Sequence, residues 1–190
     1  MHSVGVCFGL LVLAASSPTT AQEVQASSQQ LRLAGTAPAA CLLSAPVVNA
    51  ATNASFAVTG ASSAQIAITQ LVDTQTATSL ASTIALSLPV TCNASNTVTL
   101  RTTNGGLRRA GSAAGLAAPG GFSEFLSYRL GLDWAGQSLD QASTAGEATI
   151  ASAQPAQGNM VLRVSTTAGN GPLVAGRYDD SIVIEVHAAN

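Results

Sequence analysis

Residues 83–92 have the sequence Thr-Ile-Ala-Leu-Ser-Leu-Pro-Val-Thr-Cys, in which every second side chain is apolar. The alternating set is Ile84, Leu86, Leu88, Val90 and Cys92. Successive side chains of a β-strand point to opposite faces, so this period of two predicts a strand that buries the apolar set together with the cysteine. Pro89 falls on the other face. Because proline cannot donate a ladder hydrogen bond, it predicts a sheet edge, a bulge or a strand end at this point.

The same alternation recurs along the chain. It is found in Ile66 and Ile68; Val98 and Leu100; Leu126, Tyr128, Leu130, Leu132 and Trp134; Met160, Leu162 and Val164; and Ile182, Ile184 and Val186. None of these stretches has the three-to-four spacing of an amphipathic helix. Clusters of Asn, Gly and Pro separate them, as turns do. Many short alternating strands with such turns predict an all-β fold, an antiparallel β-sandwich.

Two segments lack a clear strand pattern. Residues 105–121 are rich in Gly and Ala and carry Arg108 and Arg109, and residues 135–157 are rich in Ala, Ser, Gln and Gly. Loops longer than about 12 to 15 residues are uncommon unless they have a function. Each segment is therefore expected to contain either a short strand or a loop that faces a partner.

The composition excludes several classes of protein. Charged residues make up 8% of the 190 residues and the net charge is -2, whereas a typical soluble domain is roughly 25% charged. The chain has seven arginines and nine carboxylates, so we expect no basic surface that could bind nucleic acid. An apolar content of 47% is unlike that of disordered chains. We predict a single folded domain.

The N-terminus has the pattern of a secretory signal. An apolar run covers residues 4–15 and is followed by small and turn residues up to Ala21. The run is too short to span a bilayer as a helix, and no later segment reaches the roughly 18 to 20 apolar residues of a transmembrane helix. We predict a signal peptide over residues 1–21, an exported chain that begins at Gln22, and no transmembrane segment.

Export determines how the cysteines are interpreted. Removal of the signal peptide removes Cys7 and leaves Cys41 and Cys92, and an even pair in an oxidising compartment most simply forms one disulfide. A two-cysteine metal site or a free nucleophile is the alternative. A metal would need further His or Cys ligands nearby, and the sequence has none there. The disulfide is therefore predicted, and no metal or other cofactor is expected.

Catalytic motifs are missing from the sequence. The exported part has a single histidine, His187, which alternation places on the outward face near the C-terminus. Nucleophile-elbow, zinc-protease and phosphate-loop patterns do not occur. An enzyme is not expected, and a hydrolase on a sandwich scaffold is the least favoured of the functions considered.

Several short polar motifs have simple alternatives. Asp179 and Asp180 could contribute to a calcium site, but an acidic turn before a strand is the favoured interpretation. The pair Arg108-Arg109 is interpreted as solubilising rather than as a contact for an acidic partner. Asn53 and Asn93 each begin an Asn-Ala-Ser glycosylation sequon, a frequent chance match in such a chain.

The C-terminal stretch 174–186, Val-Ala-Gly-Arg-Tyr-Asp-Asp-Ser-Ile-Val-Ile-Glu-Val, resembles the closing motif of the spore coat protein U family, which includes secreted pilins of archaic chaperone-usher systems. The early cysteine Cys41, the strand end at residues 89–92 and the Tyr128 strand at residues 127–132 agree in order and spacing. The resemblance covers roughly residues 37–186. Its structural motif falls on Gly176, Tyr178 and Asp180. Gly176 allows a turn with positive φ, and the Tyr178 hydroxyl is expected to bond back to the backbone, as in a tyrosine corner.

The resemblance implies an immunoglobulin-like sandwich that lacks its last strand and is completed by a donor strand. The donor is then expected within residues 22–37, where Leu31, Leu33, Gly35 and Ala37 alternate. An ordinary first strand of the chain's own sheet is the equal alternative for this segment. The domain proper would cover residues 38–190, and the strand with Ile182, Ile184 and Val186 would border the receiving groove.

The implied function is that of a structural subunit of a surface pilus or coat, linked with cell adhesion and biofilm. Its implied partners are a periplasmic chaperone, an outer-membrane usher and neighbouring subunits, bound by β-augmentation. The chain would pass through the periplasm and end at the cell surface. The alternative from a different class is a monomeric secreted or periplasmic binding module or adhesin that uses the segments 105–121 and 135–157.

Overall fold

The computed structural model describes residues 29–112 and 119–189. Its regular structure is almost entirely antiparallel β, as predicted. The strands are β1 (Cys41–Leu43), β2 (Val47–Thr52), β3 (Ala54–Gly60), β4 (Ser63–Ile68), β5 (Ser82–Cys92), β6 (Asn96–Thr102), β7 (Leu107–Arg109), β8 (Phe125–Leu126), β9 (Arg129–Trp134), β10 (Gln137–Ala142), β11 (Ala148–Ser152), β12 (Ala156–Thr166), β13 (Tyr178–Asp179) and β14 (Ile182–Ala188). All of them lie in the unit Ala37–Asn190; the other unit is Met1–Thr36.

Two sheets enclose the core. The larger has the strand order β1-β5-β12-β9-β10, with β2 also paired to β5 beyond β1. The smaller has the order β11-β6-β14. The hairpin β3-β4 and the set β13-β7-β8 form two further small sheets.

The core side chains come from the predicted alternating strands. Inward-facing residues of β5, β9 and β12 pack against β6 and β11, which confirms the faces assigned from periodicity. The buried set is Ile84, Leu86, Leu88, Val90, Cys92, Val98, Leu100, Tyr128, Leu130, Leu132, Trp134, Ile150, Met160 and Leu162.

Pro89 lies inside β5, which has neighbours on both sides, so neither a sheet edge nor a strand end falls at this residue; instead the pairing on one side is interrupted, between the pairs Leu43–Val90 and Val47–Ser87. Its carbonyl accepts a hydrogen bond from the Ser44 N–H at 2.9 Å. Because the N–H and C=O of one residue point to the same side of a strand, the position of the missing N–H faces the break between β1 and β2. Proline is tolerated here because no neighbouring strand needs its donor.

The two unassigned segments contain strands. The described part of residues 105–121 includes β7, and residues 135–157 include β10 and β11. Strands β9 and β10 are joined by the two-residue turn Ala135-Gly136, in which both residues have positive φ, 49° and 77°. This is the geometry of a type I′ hairpin turn. Gly136 is typical of such a turn, but alanine at its first position, Ala135, is not, and the hairpin was therefore not predicted.

The single tryptophan of the chain has a buried polar partner. Trp134 Nε1 donates to Asn96 Oδ1 at 2.8 Å, and the Asn96 amide nitrogen donates to the Ala94 carbonyl at 3.1 Å. Both side chains are almost completely buried. The pair therefore ties the last residue of β9, in the larger sheet, to the first residue of β6, in the smaller one.

We expect Asn96→Ala to lower the free energy of unfolding by about 2 kcal/mol, because the indole N–H is left buried without an acceptor. Chemical denaturation followed by the fluorescence of Trp134 measures this. Asn159→Ala, at an exposed position of β12, is the control and should change the free energy by less than about 0.5 kcal/mol. Equal effects of the two substitutions would contradict the assigned role of Asn96.

Candidate functional site

The outer edge of β14 is open. Within residues 29–112 and 119–189, β14 pairs with β6 and with no other strand. An edge strand of this length presents unpaired N–H and C=O groups to any strand that approaches. The predicted groove-edge strand is therefore an edge of its sheet.

The hydrogen-bond phase of β14 identifies which groups are free. The Thr103 N–H donates to the Ser181 carbonyl at 2.9 Å, and the Ala189 N–H donates to the Ser95 carbonyl at 2.8 Å. In an antiparallel ladder, residues alternate between bonding to one side and to the other. Odd-numbered residues of β14 therefore bond to β6. The backbone groups of the even-numbered residues, Ile182, Ile184 and Val186, point away from β6.

The inner face of the larger sheet is uncovered beside this edge. Leu43 lies opposite Val90, and Val48 lies opposite Leu86, so each pair shares the core-facing side of the sheet. Val90 and Leu86 are 2% and 3% exposed, whereas Leu43 and Val48 are 37% and 39% exposed. The smaller sheet therefore ends before it covers the apolar face that β1 and β2 present.

These features form one groove, which we call the open groove. It has a volume of about 1190 Å³ and lies between β14 and the hairpin β3-β4. Its principal apolar lining residues are Leu43, Phe56, Ile66, Leu86, Leu88, Leu162, Ile182 and Ile184. A smaller cavity of about 90 Å³, also lined by Ile66 and Ile182, extends toward Tyr128 and Asp180.

The closing motif builds the start of β14. The Tyr178 hydroxyl donates to the carbonyls of Val174, at 2.8 Å, and Ser123, at 3.1 Å; the Val174 bond is the tyrosine-corner geometry expected from the sequence. Burial raises the pKa of Tyr178, so the hydroxyl stays a donor.

Gly176 has φ +154°, and a Cβ there would lie 2.9 Å from Cδ of Arg109. Glycine is needed because the Arg109 side chain crosses it on its way to an ion pair with Glu124.

Asp180 joins three parts of the chain. Its Oδ1 accepts hydrogen bonds from the N–H groups of Asn104, at 2.8 Å, and Ser181, at 2.7 Å. Its Oδ2 accepts from the Tyr128 hydroxyl at 2.9 Å. Burial, with the nearby carboxylate of Asp180, raises the pKa of Tyr128 and keeps its hydroxyl protonated. The carboxylate has the role of a structural hub at the turn before β14.

The two predicted disulfide cysteines are bonded. Cys41 and Cys92 face each other in the β1-β5 register, and an S–S bond joins them. The bond holds β1, one wall of the open groove, to the end of β5, one of the two longest strands described.

The candidate donor residues lie near the start of the described chain. Residues 29–40 form no strand, and this range contains Leu31, Leu33, Gly35 and Ala37. The predicted signal peptide, residues 1–21, and residues 22–28 of the extension lie outside the described residues. Donation by this segment therefore stays a prediction.

In the described ranges, no group of three or more His, Cys, Asp or Glu side chains is placed to hold a metal ion. The side chain of His187 is exposed, as predicted, and its Nε2 lies 3.7 Å from Oε2 of Glu185. Among the residues that the structure describes, no helix is long and apolar enough to cross a membrane.

The sequence pattern did not predict the wall of the open groove that the hairpin β3-β4 forms. Ile66 was recognised as part of a strand, but its pairing with Phe56 of β3 was not. The alternation of Ala54, Phe56 and Val58 was available as a signal, although only Phe56 in it is large. Which wall a short hairpin forms depends on tertiary packing, which the pattern does not contain.

Comparison with known proteins identifies no family for this chain. No protein-family model matches the sequence, and no curated protein matches it. A chain of the solved structure described as "Chaperone-tip adhesin complex is vital for synergistic activation of CFA/I fimbriae biogenesis" matches with a TM-score of 0.38 and 16% sequence identity. The match covers 73% of this chain and 42% of that chain, so this chain spans less than half the length of its match. A likeness of this size carries no argument about function.

Proposed function

We propose that the chain is a non-enzymatic structural subunit of an exported surface fibre or coat, of the spore coat protein U type, and that the open groove receives a strand from another molecule. The observation that carries this is the coincidence of two deficits. Among residues 29–112 and 119–189, no strand pairs with the outer edge of β14, and none covers the adjacent apolar face. One added strand beside β14 would remedy both.

A strand in this place makes two kinds of contact. Its backbone would pair with the outward N–H and C=O groups of Ile182, Ile184 and Val186, each bond contributing roughly 0.5 to 1.5 kcal/mol. Its alternate side chains would point into the groove, over Leu88 and Leu162. Burial of apolar side chains adds roughly 25 cal/mol per Å² of apolar area. The occupant must therefore be an extended segment with apolar residues at every second position.

The N-terminal extension of a second copy has this pattern. Leu31, Leu33, Gly35 and Ala37 would face the groove, while Arg32, between the two leucines, would face solvent. Two large side chains followed by two small ones give the segment a direction. A periplasmic chaperone would fill the groove before the next subunit does, and an outer-membrane usher would deliver the subunits.

The disulfide supports the proposed compartment. Bonds such as Cys41–Cys92 form and persist in the periplasm or outside the cell. The signal sequence expected over residues 1–21 agrees with export, so we propose transit through the periplasm and a final place at the cell surface.

The test is addition of a peptide covering residues 22–40 to the exported chain, residues 22–190. At a free concentration of 100 times its Kd, a peptide that binds the folded state stabilises it by about 2.7 kcal/mol. For a chain of this size we expect the thermal midpoint to rise by roughly 5 to 10 °C. We also expect the peptide to shorten any oligomers, because it occupies the receiving groove.

One matched pair of chain variants and one variant peptide make the test specific. Leu43 and Leu42 are neighbours in β1 on opposite faces, and both are exposed, at 37% and 66%. Leu43→Asp places a charge in the groove and should abolish the peptide effect, whereas Leu42→Asp should leave it intact. A peptide carrying both Leu31→Asp and Leu33→Asp should not bind the unaltered chain.

A folded monomer whose midpoint is insensitive to the peptide would overturn the proposal and favour the monomeric binding module. An equal response of the two β1 variants would also contradict it, because the peptide would then bind outside the groove.

A further inference from the structure

The glycosylation sequon at Asn93 has a structural use in the fold. Asn93 Oδ1 accepts a hydrogen bond from the Ala40 N–H at 2.7 Å, and its Nδ2 donates to the Pro38 carbonyl at 2.9 Å. The Asn93 backbone N–H also donates to the Ala40 carbonyl at 3.1 Å. One residue therefore holds the chain segment 38–40 by three hydrogen bonds, next to the disulfide at Cys41.

The sequence around the contact explains why an asparagine is required. Strand β1 pairs with β5 from Cys41 onward, and the Asn93 backbone extends that pairing to Ala40. Pro38 has no N–H and cannot continue a ladder. The Asn93 side chain, which has both a donor and an acceptor, makes the last two contacts in place of a neighbouring strand.

The nitrogen that a glycosyl group would modify is in use. Asn93 Nδ2 donates to Pro38, and in the other sequon Asn53 Nδ2 donates to the carbonyls of Gln70, at 2.7 Å, and Ala81, at 3.1 Å. A glycan replaces one of the two amide hydrogens, so at Asn53, where both hydrogens are in use, it would displace one of the two bonds. The fold therefore uses both sequon asparagines as hydrogen-bonding groups.

The contact with Asn93 defines where the extension leaves the domain. Residues 38–40 are fixed to the turn between β5 and β6, and the same turn accepts the end of the chain, since the Ala189 N–H bonds to the Ser95 carbonyl. The base of the extension and the C-terminal end of β14 are thus both attached to residues 93–95. Without the Asn93 side chain, the last fixed point would be the backbone bond between the N–H of residue 93 and the Ala40 carbonyl, next to the disulfide at Cys41.

We propose that Asn93 is a positioning residue for strand donation, one that fixes the base of the donor segment and thereby the spacing of neighbouring subunits. This inference rests on the proposed function. Loss of the Asn93 side chain frees residues 38 and 39, while the backbone bond to the Ala40 carbonyl remains, and this lengthens the flexible link between subunits by two residues, or about 7 Å when extended. The donor strand could still bind, but the subunits that it joins would no longer be held at one distance.

Amide hydrogen exchange in the exported chain, residues 22–190, tests the contact itself. In Asn93→Ala the Ala40 amide should exchange roughly tenfold faster, as expected for the loss of one hydrogen bond. Asn93→Asp keeps the acceptor for Ala40 and should retain most of its protection. Ser95→Ala destroys the sequon but keeps the amide, so its Ala40 exchange should equal that of the unaltered chain.

Distance measurements between assembled subunits test the positioning role. A spin label at Thr149, an exposed position on β11, is introduced into a fraction of the chains. We expect a narrow distribution of distances between neighbouring labels in the unaltered and Ser95→Ala chains, and one at least twice as broad in Asn93→Ala. Peptide binding to the open groove should be unchanged in all three, because Asn93 is not among its lining residues.

The outcomes separate this inference from the proposed function. If unaltered chains do not associate through the peptide-sensitive groove, the proposed function fails. If they do associate, but Asn93→Ala changes neither the Ala40 exchange rate nor the width of the distance distribution, the positioning role is overturned and the proposed function stands.

Discussion

Replacing Cys41 and Cys92 together by serine is expected to lower the free energy of unfolding by about 4 kcal/mol. The disulfide closes a loop of 51 residues, and in the chain-entropy model a loop of this length restricts the unfolded chain by about that amount. A typical domain is stable by about 5 to 15 kcal/mol, so the double variant loses a large part of its stability. The thermal midpoint should fall by roughly 8 to 16 °C.

Reductant provides the control for this experiment. Treating the unaltered chain with dithiothreitol should reproduce the midpoint of the double serine variant, and the variant itself should not respond. The double replacement is preferred to Cys92→Ser alone, which would leave a free thiol at Cys41. An unchanged midpoint in the double variant under oxidising conditions would contradict a stabilising disulfide.

The second large effect is expected at Asp180. Asp180→Ala removes a carboxylate that accepts three hydrogen bonds, and it leaves the buried hydroxyl of Tyr128 and two backbone N–H groups without their acceptor. Hydrogen bonds to charged groups contribute roughly 1.5 to 3 kcal/mol each, although part is regained when water replaces the lost partner. We expect a loss of about 3 kcal/mol in the free energy of unfolding, measured by urea denaturation.

Asp179 is the matched control for this substitution. It is the adjacent residue with the same charge, it is exposed, and its side chain accepts no hydrogen bond from the described residues. Asp179→Ala should change stability by less than about 0.5 kcal/mol. Tyr128→Phe removes only one of the three bonds and should cost about 1 kcal/mol. Similar losses at Asp179 and Asp180 would mean that charge, rather than the hydrogen-bonded hub, stabilises this turn.

The prediction at Asp180 also concerns the open groove. The Asp180 carboxylate accepts a hydrogen bond from the N–H of Ser181, and the carbonyl of Ser181 accepts the bond that sets the phase of β14. If that turn loosens, the outward row of backbone groups loses its alignment before the strand itself is lost. We therefore expect Asp180→Ala to weaken peptide binding as well as stability, whereas the double cysteine variant should affect binding mainly through unfolding.

The all-β class could be predicted because its signals are local. The alternation in β5, β9, β12 and β14 reflects which face of each strand is buried, and it requires no knowledge of the neighbouring strand. The cysteine count predicted the bonded pair for a similar reason, since two cysteines allow only one intramolecular bond. The glycine and tyrosine of the closing motif are likewise explained by the backbone near them.

Strands without large alternating residues escaped prediction. Strand β10 has only Leu139 as a large apolar side chain, β11 only Ile150, and β7 carries Arg108 and Arg109. Such strands owe their conformation to the ladder hydrogen bonds of a neighbour already in place, as β10 does to β9. The context that makes them strands is tertiary, and no window of sequence contains it.

For the strands with large alternating residues, among them β5, β9, β12 and β14, the amino-acid pattern was enough to predict the strand and its apolar face, because the period of two follows from the backbone geometry of each strand alone. Three features follow instead from the packing of distant segments: the open edge of β14 among the described strands, the exposure of Leu43 and Val48 on the core-facing side, and the contact of Asn93 with residues 38–40. Each of these depends on where the neighbouring chain segments end. Hydrogen-bond pairing and burial between segments far apart in sequence are settled by packing, and the local pattern of residues is compatible with several arrangements.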